Sequence, residues 1–125
     1  MVRLSREDGP LGPSRAVVRG AYSLRVGEHE AVMEEINAVL ASSLRDRARM
    51  ERTLTDGYAH ALSLEAERTR VQKELRALAA TIERGDPAEK TREISELVRR
   101  MELQDDELTR LRELLARLRA EYSEA

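Results

Sequence analysis

The sequence has no cysteine, tryptophan or phenylalanine, and its only aromatic residues are three tyrosines, 2% of the chain. Without cysteine there are no disulfides, no thiolate-bound zinc or iron–sulfur cluster, and no thiol nucleophile. So few aromatics among 125 residues leave too little bulk for a thick globular core. Long apolar runs are also missing. The longest charge-free stretches are 36–44 and 57–64, far below the roughly 20 apolar residues a membrane-spanning helix needs. The first eight residues lack an apolar secretory core, and Val2 stands where N-myristoylation requires glycine, so neither a secretion signal nor an acyl anchor is expected.

What the chain has in excess is charge, 37% of residues, mixed with Leu, Ala, Val, Ile and Met. That is the composition of long amphipathic helices and coiled coils. Gly and Pro crowd the start, at Gly9, Pro10, Gly12, Pro13, Gly20 and Gly27, and thereafter only Gly57, Gly85 and Pro87 occur. Residues 1–27 therefore read as a flexible, partly helical arm. The arm is basic, with five arginines against two acids, whereas residues 28–125 carry 17 basic and 22 acidic residues.

From Glu28 to about Arg84 the apolar residues recur in steps of three and four, through Met33, Ile36, Leu40 and Leu44, then Met50, Leu54, Tyr58, Ala61 and Leu64, then Val71, Leu75, Leu78 and Ile82. The spacing predicts one helix over 28–84, roughly 85 Å long, with an irregular supercoil in its first half. Gly85, Asp86 and Pro87 then form a stop-and-start signal. Glycine suits the left-handed residue after a helix, aspartate caps the next helix, and proline fits its first position, with Glu89 two residues on. The following helix, 87–122, carries Ile94, Met101, Leu108, Leu115 and Tyr122 at heptad position a, and Leu97, Gln104, Leu111 and Leu118 at d.

A connection this short predicts an all-α fold, a long antiparallel αα-hairpin of coiled-coil type with the arm attached. Folding about the turn pairs residues whose numbers sum to about 172, such as Leu75 with Leu97 and Leu54 with Leu118. It also sets Arg68 opposite Gln104, and a shared polar layer of this kind fixes register. In that register the second helix ends opposite Met50, leaving Met33, Ile36, Leu40 and Leu44 as an uncovered stripe beside Arg45, Arg49 and Arg52. These seven residues are the expected partner-binding surface. The stripe asks for cover from residues 14–26, a second copy or another protein; Gly20 and Gly27 argue against the first, and homo-oligomer and foreign partner weigh equally.

Catalytic signatures are absent. His29 and His60 are remote in sequence, neither belongs to a His-Glu-x-x-His or Glu-x-x-His pattern, and no glycine-rich phosphate loop occurs. No catalytic, cofactor-binding or metal-binding residue is assigned, and the expectation is a protein that is not an enzyme. The cluster Arg45, Arg47, Arg49 and Arg52 raises nucleic-acid binding, but interleaved Asp46 and Glu51 and the lack of stacking aromatics favour a salt-bridged helix surface. Arg15, Arg19 and Arg25 in the arm give at most weak contact with an anionic membrane.

The segments Leu44-Arg45-Asp46-Arg47-Ala48-Arg49-Met50-Glu51, Leu64-Glu65-Ala66-Glu67, Val71-Gln72-Lys73-Glu74-Leu75, the Gly85-Asp86-Pro87 turn and the helix from Arg92-Glu93-Ile94 resemble the small herpesvirus tegument proteins over about residues 40–110. The resemblance implies a non-enzymatic, chaperone-like virion component of the tegument, host cytoplasm and host nucleus, acting in capsid stability, envelopment and egress through capsid or tegument partners. Without it, the same residues read as a cytoplasmic coiled-coil adaptor subunit of a vesicle-tethering or cytoskeletal complex.

Overall fold

The computed structural model describes the backbone of residues 15–125 and the side chains of residues 27–125. The first half of the arm, 1–14, and the arginine side chains at 15, 19 and 25 lie outside the described residues. Among the described residues the fold has three helices: α1, Arg15–Ala41, α2, Arg47–Ala80, and α3, Pro87–Glu124. Among the described residues there is no strand. The fold is all-α, as the composition and periodicity require.

The α2–α3 hairpin forms in the expected register. Glycine at the turn takes the left-handed conformation, with Gly85 at φ 77°. Asp86, in extended conformation, accepts a hydrogen bond from the Ala88 amide at 3.0 Å, and Pro87 opens α3. The regular part of α2 stops at Ala80, four residues before the expected end. The last turn tightens instead, with Thr81, Ile82 and Arg84 amides bonding three residues back. Further along, Lys90 donates to the Thr81 hydroxyl at 3.0 Å and Tyr122 donates to Glu51 at 2.8 Å. Arg68 pairs with Asp105, the neighbour of its expected opposite Gln104, which is itself buried.

The helix expected over 28–84 is two helices. Ser42 ends α1: its amide bonds the Ala38 and Val39 carbonyls, and its hydroxyl accepts from the Leu44 amide at 3.2 Å. Arg45 donates back to the Ser42 carbonyl at 3.2 Å, and Asp46 caps α2 by accepting from the Arg49 amide at 3.1 Å. Ser and Asp here offer the backbone local bonds that compete with helical ones. The chain therefore reverses over residues 42–46, and α1 returns along the hairpin. The boundary at residue 27 also disappears, because α1 runs from Arg15 through Gly27 without interruption.

The reversal overturns the idea of an uncovered stripe. Ile36 is fully buried and Val39 nearly so, in one core with Met50, Leu54, Ala61 and Leu64 of α2 and Leu108, Leu111, Leu115 and Leu118 of α3. Met33 and Leu40 pack against that core and are half-buried. Burying an isoleucine side chain contributes about 1.5–3 kcal/mol, so Ile36 alone strongly favours docking of α1 on its own chain. None of the three covers weighed from the sequence is needed, since the chain's own hairpin supplies it.

Candidate functional site

The seven residues expected to bind a partner have different fates. Met33, Ile36 and Leu40 face the core. Leu44 projects from the reversal and is 79% exposed. Arg45 pairs with Glu121 of α3 at 3.0 Å, while Arg49 forks onto Glu35 of α1 through Nε and a terminal nitrogen at 3.0 and 3.2 Å. The Arg49 hydrogen bond chiefly holds the Glu35 carboxyl below the usual range, against the cost of burial, and exposed Arg52 adds the least of the lowering effects. The contiguous docking stripe is therefore a correction: Met33, Ile36 and Leu40 are internal, Leu44 alone of its apolar members is exposed, and two of its arginines clamp helices together.

Arg47 is a third clamp. Its guanidinium lies 4.2 Å from the Tyr122 ring centroid and donates to the Tyr122 carbonyl at 3.2 Å, where the last turn of α3 has carbonyls without helical donors. Cation–π contact, ion pairing and carbonyl capping thus use Arg45, Arg47 and Arg49 within the bundle, in line with a salt-bridged surface.

Two features escaped the sequence reading. The first is the histidine pair. His29 on α1 and His60 on α2 stand ring to ring, with His29 Nδ1 3.0 Å from His60 Nε2 and centroids 5.2 Å apart. His29 is buried and His60 half-buried, and burial first, then the charge of His29, lowers the His60 pKa against the opposing pull of Glu28. An open hollow beside the pair is lined by Glu28, Asp56, His60 and Ser63 among others. No group of three or more His, Cys, Asp or Glu among the described residues is placed to hold a metal ion. Only the reversal at 42–46, which the periodicity obscured, brings the two rings together.

The second feature is an apolar pair on the outer flank of α2. Arg49, Thr53 and His60 on one flank bond α1, whereas Glu51 and Glu65 on the other bond Tyr122 and Arg112 of α3. Tyr58 and Leu62 follow the second series at helical spacing and so lie away from α1. They are 40% and 66% exposed. Toward the hairpin tip, Ile82 and Val98 are also exposed, and Leu75, Leu78, Ile94 and Met101 are half-buried.

No described helix is long and apolar enough to cross a membrane. The chain matches no protein-family model, no curated protein and no solved structure at a significant level.

Proposed function

We propose that this chain is a non-enzymatic protein-interaction scaffold whose docking surface is the outer flank of α2, and that its occupant is an amphipathic helix of another protein. The observation that carries the reading is the pair Tyr58 and Leu62, exposed one turn apart while most aliphatic side chains around them are internal. Apolar residues four apart on one helix are the anchors a second helix uses when it packs alongside. Glu65 and Arg112, bridged to each other at the edge of this surface, supply a charged rim.

The resemblance to herpesvirus tegument proteins supports a setting for such a scaffold: virion morphogenesis, with chaperone-like contacts to capsid or tegument proteins in host cytoplasm and nucleus. A second reading, an adaptor subunit in a cellular hetero-bundle, draws on the hairpin tip. There Leu75, Leu78, Ile94 and Met101 stay half-buried, as residues do when a further helix is needed to complete a bundle.

The test is a crosslinked pull-down at native expression, with Tyr58→Glu plus Leu62→Glu as the comparison. Loss of a stoichiometric partner in the double variant, at unchanged helix content, is the expected outcome. Capsid or tegument proteins as that partner support the virion setting; cellular coiled-coil proteins support the adaptor. Undiminished capture by the double variant contradicts the docking flank.

A further inference from the structure

The two histidines of the sequence meet each other in the seam that holds α1 to the hairpin. At 3.0 Å, one nitrogen must donate its proton and the other must accept with a lone pair. The bond therefore survives with both rings neutral or with one charged. It cannot survive with both charged, because two N–H groups then point at each other and two cations share a partly buried seam.

The groups around the pair set the balance. From α1, Glu28 favours the charged form of His60, and from α2, Asp56 lines the same open hollow. In the hairpin register α3 brings Leu108, Leu111 and Leu115 to this level, with Glu107, Arg110, Arg112 and Glu113 as its charged residues there; Arg112 is engaged by Glu65. Burial outweighs the acidic neighbours, so His60 takes up a proton less readily in the docked state than at its ordinary value of 6.5. The nearby Glu35–Arg49 pair does not titrate in the same range, because the Glu35 carboxyl is held below 4.5.

We propose that the His29–His60 pair is an acid-sensitive latch, which holds α1 on the α2–α3 hairpin at neutral pH and loosens it as the pH falls below the ordinary imidazole range. The sign follows from linkage. When α1 lifts away, His60 regains its ordinary affinity for protons, so the open state binds more protons than the docked one. Docking is then fully favoured above the ordinary imidazole value and weakens as pH falls from there toward the lower docked value. Each proton taken up on opening weakens docking by up to about tenfold per pH unit within that window. Opening uncovers Ile36 and Val39 on α1 and, across from them, Leu54, Leu111, Leu115 and Leu118.

The experiment is amide hydrogen exchange of the full chain between pH 7.5 and 5.0, corrected for intrinsic rates, comparing residues 28–41 with the hairpin around Val71 and Leu97. Protection of 28–41 should fall with pH across the range in the wild type, by at most about tenfold per pH unit for the one proton taken up, with the hairpin segment unaffected. In His29→Gln plus His60→Gln, which keeps polar side chains that do not titrate, protection of 28–41 should be flat. Equal pH dependence in that variant, or no dependence in the wild type, overturns the latch. Should the double variant fail to fold, the two imidazole resonances of the wild type, assigned with His60→Gln, give an independent reading. A His60 midpoint at or above the ordinary value overturns the proposal, and a clearly lower one supports it.

Discussion

Leu115 of α3 packs its side chain onto the bare Cα of Gly57 in α2, at the level where Ile36 of α1 meets both helices. A Cβ at residue 57 would overlap a terminal methyl of the Leu115 side chain, which is only 2% exposed. Gly57 thus lets α3 approach α2 closely at this level.

Gly57→Ala sets two effects against each other. Alanine favours the helix interior by about 1 kcal/mol, whereas overpacking a closed core costs about 1–3 kcal/mol. The expected net effect in urea denaturation is a loss of about 1 kcal/mol. A more stable variant would mean that Leu115 turns aside freely and that the close approach is not a constraint.

Gln104 is buried in the α2–α3 seam at 3% exposure, and its Oε1 has no hydrogen-bond partner within the protein. Leaving such an atom unsatisfied costs about 1–3 kcal/mol. Gln104→Leu should therefore raise stability by about 1–2 kcal/mol, read as a higher denaturation midpoint at unchanged slope. A lower midpoint would show that the amide earns a bond there that outweighs its desolvation.

Glu35 reports on the other side of the bundle. Its folded pKa lies below 4.5, chiefly through the Arg49 hydrogen bond. A depressed carboxylate stabilises the fold above its unfolded value, and that stabilisation is lost as pH falls through the folded value. In Glu35→Gln, stability at pH 7 should drop, and the further loss on acidification below 4.5 should be shallower than in the wild type. Parallel pH profiles would contradict the Arg49 clamp.

The hairpin was legible because its signals are local and mutually consistent. Gly85, Asp86 and Pro87 carry a turn in three residues, and the regular heptads from Ile94 onward fix which face of α3 meets α2. The reversal at 42–46 was obscured by apolar steps that run smoothly through Ile36, Leu40 and Leu44. Its trace is the six-residue step from Leu44 to Met50, together with Ser42 and Asp46 as capping residues, a pattern no uninterrupted helix face produces. Missing that reversal made an internal face look external. It also kept His29 and His60 apart, because that pair depends on α1 lying against α2. Tyr58, though exposed, falls within the periodic pattern at what reads as a seam position, and Leu62 lies outside that pattern. Period alone does not separate a residue at the centre of a stripe from one at its edge.

The decisive measurement is the distance between α1 and α2 in solution. The cysteine-free chain accepts two spin labels cleanly, at Glu30→Cys and Ala66→Cys, both exposed positions. If α1 doubles back over α2 at neutral pH, pulsed electron resonance should give one population at about 25 Å or less, given helix axes some 8–10 Å apart and the added reach of the labels. A continuous helix through residues 42–46 would separate the two backbones by about 54 Å at 1.5 Å per residue, and a dominant population near that distance would contradict the account.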